Sequence, residues 1–230
     1  FFMKDFSEKD SVSLTYTSMA GDTLANYSTF SKDKDKKLTV EKGGNTHVWD
    51  TRGKGAERLD GMILWWANLD GAKAVPGSYQ VHLNSQGETL TQSFKIIPDP
   101  RAEASASEMQ QQYDFISDVN GTVDRAHQSI KKIRGVNTQL DAFINQYKGN
   151  EATADLVARA EEMKEGFGEI EKALYQTQNR SGQDPLNFPI RLTNKLAHLN
   201  SLVSLDDFPP TAQDVAVKNE LRSEINTQLN

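Results

Sequence analysis

Hydrophobic and polar positions follow two different periods along this chain. Val12, Leu14 and Tyr16 alternate with Ser13, Thr15 and Thr17, the period of two of a half-buried strand. A second strand is expected around Leu24–Phe30 after the turn Ala20-Gly21-Asp22. Short strands follow at Lys37–Val40 and Thr46–Trp49, and the apolar run Met62–Trp66 reads as a buried strand. Tyr79, Val81 and Leu83 share one face of the next strand. Ser85-Gln86-Gly87 has hairpin chemistry, and Leu90, Phe94 and Ile96 mark the return strand up to Ile97.

Beyond residue 101 the period changes. Ile116, Val119, Val123, Ala126, Ile130, Ile133, Leu140, Ile144 and Tyr147 recur at steps mostly of three and four, a coiled-coil-like seam. Ser105 and Glu108 have capping-box spacing and Gly149-Asn150 supplies a stop, so a helix of about 65 Å is expected over 106–148. Leu156, Ala160, Met163, Phe167, Ile170 and Leu174 form the facing seam of a second helix. A third helix opens near Pro189 with Ile190, Leu192, Leu196, Leu199 and Val203. Thr211 with Asp214 caps a fourth bearing Val215, Leu221, Ile225 and Leu229.

The pattern therefore predicts an α+β chain in two parts. An Ig-like β-sandwich over 1–101 precedes an antiparallel helical bundle of three to four helices, one of them long, over 102–230. Ile97-Pro98-Asp99-Pro100-Arg101 is the expected connector, because two prolines in three residues exclude a helix there.

Charge sharpens the division. Among the 230 residues, Lys and Arg number 26 and Asp and Glu 32. The first 101 residues hold 13 of each sign, so the net charge of -6 lies in the helical part. That balance argues against a nucleic-acid partner, which needs a basic stripe. There is no Cys, which excludes thiol chemistry and Cys-based metal sites. No apolar run approaches the roughly 20 residues of a membrane span. The chain starts at Phe1 and reads as a piece of something longer.

Candidate chemistry is sparse. His47, His82, His127 and His198 fall in different elements without ligand spacing, and they read as surface or helix-flank residues. No cofactor fingerprint or catalytic motif is present, so no cofactor is expected. Asp50, Asp60 and Asp70 lie near the tryptophans and read as turn carboxylates; a glycan-hydrolase reading would require two such acids across a cleft.

Trp65 and Trp66 are adjacent, so on a strand they face opposite ways. One fills a core; the other must be covered by a sugar ring, the helical part or an absent partner. Trp49 is expected in or at the rim of the sandwich. The stretch around Arg180, Asp184, Asn187 and Arg191 is dense in polar side chains. It is either a binding site or a loop satisfying its own backbone.

Three stretches carry a family resemblance: Pro76-Gly77-Ser78-Tyr79-Gln80-Val81, the junction Ile97–Arg101, and above all Tyr175–Leu192, which reads YQTQNRSGQDPLNFPIRL. Together they resemble the C-terminal region of bacterial exported proteins with a sortilin-like (BNR, Asp-box) β-propeller, commonly labelled glycosyl hydrolase. The resemblance covers roughly residues 37–229. No Asp-box (Ser-x-Asp-x-Gly-x-Thr-Trp) occurs in the chain, so no hydrolase residue is carried over. The resemblance implies a periplasmic or extracellular location and an accessory role beside a propeller. The expected partner is that propeller or another protein, with a glycan as the alternative.

Overall fold

The computed structural model describes residues 1–230. It contains two antiparallel sheets near the N-terminus followed by four helices. Strands β1 (Phe2–Met3) and β4 (Gly43–Gly44) form a two-stranded sheet. Strands β2 (Val12–Ser18), β3 (Thr23–Ser28), β5 (Gly77–Ser85) and β6 (Glu88–Ile96) form a four-stranded one in the order β3-β2-β5-β6. The helices are α1 (Ala106–Tyr147), α2 (Ala154–Leu174), α3 (Leu192–Val203) and α4 (Ala212–Leu229).

The alternation read from the sequence is realised in the larger sheet. Leu14, Leu83 and Leu90 form one rung, and Tyr16, Val81 and Gln92 the next. β5 and β6 are joined by the two-residue turn Gln86-Gly87. Both residues have positive φ, +52° and +84°, as a type I′ hairpin turn requires. Tyr16 stacks on Trp49 with ring centroids 4.4 Å apart, and Phe94 meets both edge-on. These rings close a core that also holds Val12, Tyr27, Leu38 and Val40.

Three expected strands are absent. Lys37–Val40 keeps only an isolated bridge between Ser28 and Lys37 and contributes buried side chains. Thr46–Trp49 is irregular, with Trp49 held through its ring and an indole N–H bond to the Arg52 carbonyl at 2.9 Å. Met62–Trp66 is also irregular: instead of a ladder, Met62 N–H bonds to the Leu59 carbonyl, and Ile63 and Trp65 bond to side chains at the end of α2 and on α3.

Compactness divides the chain into two units. One comprises Phe1–Gly55 and Asp70–Tyr113; the other comprises Ala56–Leu69 and Asp114–Asn230. A short segment from the strand-rich half thus belongs with the helices.

In the helical unit, Ile116, Val119, Val123, Ala126 and Ile130 of α1 are buried, as the seam predicts. Leu196 of α3 and Ile225 of α4 are fully buried as well. Asp118 of α1 pairs with Lys218 at 2.6 Å and Arg222 at 3.1 Å of α4. Arg134 pairs with Glu171 at 2.8 Å, and Asp141 with Lys164, tying α1 to α2. A full capping box of Thr211 and Asp214 starts α4. The facing seam of α2 is only partly used. Ala160 and Leu174 are buried, whereas Leu156 and Met163 stay about half exposed. α3 and α4 have 12 and 18 residues against 42 for α1, too few to line its whole length.

Candidate docking site

The segment 56–69 forms a strap over the helices, closed at its base by Ala56 N–H donating to the Leu69 carbonyl at 2.8 Å. In the strand-rich unit, the residues flanking the strap in sequence pair with each other. Gly53 N–H donates to the Ala72 carbonyl at 2.9 Å, and Ala74 N–H to the Thr51 carbonyl at 2.7 Å. A β-carbon at Gly71 would collide with the Gly53 carbonyl, so only glycine permits this approach.

Once in the helical unit, the strap's backbone is satisfied by side chains far along the chain. Asn194 of α3 is buried and holds both polar groups of Trp65. Its amide oxygen accepts Trp65 N–H at 2.7 Å, and its amide nitrogen donates to the Trp65 carbonyl at 2.9 Å. The Tyr175 hydroxyl accepts Ile63 N–H at 3.0 Å. His198 Nδ1 donates to the Trp66 carbonyl, and Asn68 donates to Ser201 at 3.2 Å. At the N-terminal end, His127 Nδ1 donates to the Glu57 carbonyl at 2.6 Å and the Glu57 N–H donates to Asp124. Lys131 pairs with the Glu57 carboxylate. Leu59 and Leu69 are buried and anchor the strap by apolar packing.

These fixings determine what the tryptophans do. Trp65 is half-buried. Trp66 has φ of +51°, a left-handed conformation costing about 1 kcal/mol or more for a residue with a β-carbon. The His198 bond to its carbonyl helps hold that conformation. Its indole is 74 % exposed. The two rings lie 6.4 Å apart and 42° from parallel, so they do not form one flat platform.

The other sequence candidates fall elsewhere. Trp49 belongs to the strand-rich unit and packs on Tyr16. Arg180, Asp184, Asn187 and Arg191 lie on the connection between α2 and α3. Asp184 accepts the Arg180 N–H, the Ser181 N–H at 2.9 Å and the Ser181 hydroxyl at 2.9 Å. Those backbone N–H groups, Arg180 foremost, hold its carboxyl below the usual carboxylate range. The Arg180 guanidinium donates to the carbonyls of Thr177 at 2.8 Å and Asn179 at 3.1 Å. The Asn187 N–H donates to the Asp184 carbonyl at 2.8 Å, and Arg191 is exposed just before α3. Of the two readings of this loop, these bonds match backbone accounting.

Two of the histidines read as surface or helix-flank residues carry structure. His127 is fully buried, and burial pushes its pKa below the usual histidine value of 6.5. Its Nε2 is buried without a partner. A signal was present in the sequence: position 127 follows Val123 by four and precedes Ile130 by three, so it lies on the seam. His198 follows Asn194 by four on α3, and together they grip adjacent residues of the strap. Nothing in local sequence links either residue to a tryptophan about 130 positions earlier.

The aspartates are also partly gathered. In the strand-rich unit a cavity of about 360 Å³ is lined by Tyr27, Asp33, Asp35, Lys36, Asp50, Arg52, Asp70 and three glycines. Lys36 lies over the Tyr27 ring, Arg52 donates to the Gly71 carbonyl at 2.9 Å, and Asp50 accepts the Arg52 N–H at 3.0 Å. Asp60 is part of the strap. No cluster of His, Asp or Glu suits a metal ion. No helix is long and apolar enough to cross a membrane.

A scan against protein-family models, a search of curated proteins and a search of solved structures each found no match to this chain.

Proposed function

We propose that this chain is a non-catalytic accessory region that docks onto a protein surface through Trp66. One observation carries the reading: Trp66 presents an indole 74 % exposed from a backbone held by side chains of other elements. A large aromatic anchor costs little entropy to bury when its mount is already fixed. The two units act in this reading as an Ig-like sandwich and an antiparallel helical bundle. The opposite chain order of the pairs Arg134–Glu171 and Asp141–Lys164 supports the antiparallel arrangement.

The resemblance of Tyr175–Leu192 to propeller-associated C-terminal regions supplies the partner class. The partner is a sortilin-like propeller, in the same chain or another, in the periplasm or outside the cell. A carbohydrate-binding reading also draws on the exposed Trp66, but the 42° tilt between the two indoles leaves one small stacking face.

A photo-crosslinking amino acid at position 66, expressed in the native host, tests the proposal. A defined protein adduct that disappears when the crosslinker is moved to exposed Met163 is expected. No protein adduct, together with Trp66-dependent binding on a glycan array, would replace docking by carbohydrate recognition.

A further inference from the structure

β6 is an edge strand without the usual protection. Exposed edges in soluble proteins are blunted by bulges, prolines, clustered charges or short length. β6 runs nine residues, from Glu88 to Ile96, in unbroken register with β5. It contains no proline and has one charged residue near each end, Glu88 and Lys95. Nothing in the sheet pairs with its outer side.

The hairpin fixes which groups face outward. A two-residue type I′ turn makes Ser85 and Glu88 a hydrogen-bonded pair. Glu88, Leu90, Gln92, Phe94 and Ile96 therefore bond to β5, and Thr89, Thr91, Ser93 and Lys95 aim their N–H and C=O groups away from it. The Ser93 carbonyl takes a bond from the Gln92 side chain at 3.0 Å, a local placeholder that a strand would displace. One face beside this edge is apolar and open. Leu90 is 66 % exposed and borders a cavity of about 360 Å³ with Phe1, Leu14, Leu83 and His47.

We infer that a second copy of this chain pairs with β6, antiparallel and about a twofold axis at Gln92, joining two four-stranded sheets into one. Charge favours this direction. Antiparallel self-pairing about Gln92 sets Glu88 across from Ile96 and Lys95 across from Thr89, whereas in-register parallel pairing would stack Glu88 on Glu88 and Lys95 on Lys95. An axis at Gln92 also satisfies the hydrogen-bond phase. Thr91 faces Ser93 and Thr89 faces Lys95, all four being residues with outward polar groups. On the apolar side Leu90 of each copy meets Phe94 of the other, which covers the most exposed apolar side chain of the strand. This surface is independent of Trp66, so its failure would leave the docking proposal standing.

Sedimentation equilibrium of the full chain tests the pairing. The wild type is expected at twice the 25.7 kDa chain mass. Thr91→Pro removes an outward donor at an edge position, where proline is compatible with the monomer fold. It should raise the dimer dissociation constant by about tenfold or more with an unchanged circular dichroism spectrum, while Thr91→Val retains the dimer. Amide exchange in the wild type gives a second readout free of folding effects. Thr89, Thr91, Ser93 and Lys95 should be protected, and the protection should fall on dilution. A wild type that stays monomeric at its highest soluble concentration, or outward amides that exchange freely at every concentration, would overturn the inference.

Discussion

The strap 56–69 and the loop between α2 and α3 are both irregular, polar at their backbones and part of the helical unit. They satisfy those backbones in opposite ways. The loop bonds within itself: Asp184 and Arg180 bond to groups no more than four residues away, and Gln176 donates to the Pro189 carbonyl. The strap depends on donors and acceptors 67 to 133 positions distant, from His127, Tyr175, Asn194, His198 and Ser201 among others. Local bonds use up a loop's polar side chains. The remote bonds at Trp65 and Trp66 go to their backbones and not to their indoles, and that difference is why Trp66 can face solvent from a fixed backbone.

Breaking a remote bond should therefore cost far more than breaking a local one. Asn194→Ala has the largest expected effect. It strands the Trp65 N–H and carbonyl and should destabilise the chain by about 3 kcal/mol, read as a lower denaturant midpoint. The same variant should alter the tryptophan emission spectrum, since Trp65 loses its fixed position.

Acid comes next. His127 is buried with Nδ1 committed to the Glu57 carbonyl and Nε2 without an acceptor. Asp124 and Glu57 favour its protonation and Lys131 opposes it, but burial dominates and its folded pKa lies below 6.5. The folded state therefore binds this proton less readily than the unfolded one. The stability it contributes is complete above 6.5 and is lost as pH falls below that value toward the folded pKa. His127→Gln should flatten the stability profile across that window, as measured by urea unfolding at a series of pH values.

Asp184→Ala should act on the loop alone. Faster amide exchange at Arg180 and Ser181 is expected, with no change at Ile63 or Trp65. A global loss of stability equal to that of Asn194→Ala would contradict the contrast between the two segments. Trp66→Ala has the smallest expected effect on folding, within about 0.5 kcal/mol, because its indole is mostly in solvent. Binding to a propeller, assayed on the same variant, is where its loss should be felt.

The contrast also explains what could be read from the sequence. α1 spans Ala106–Tyr147 against an expected 106–148, since a long seam and a capping box are both local signals. The β5–β6 hairpin was legible for the same reason: alternation flanks a two-residue glycine turn. Met62–Trp66 looked like a strand because composition records apolarity, not the source of hydrogen-bond partners. The bonds that make it a strap come from Tyr175 and Asn194, over a hundred residues later. Arg180 and Asp184 were visible as a polar cluster, and their short-range bonds follow from turn chemistry that the sequence already contains.

The strap has a practical corollary for anyone cutting the gene into pieces. An expression fragment starting after Pro100 would carry all four helices but not residues 56–69. Asn194, Tyr175 and His198 would then meet water in place of a backbone, and the packing around Leu59 and Leu69 would be missing. Such a fragment is better supplied with the missing segment as a synthetic peptide. The peptide would then serve as a complementing piece, whose capture reports directly on the grip of α3.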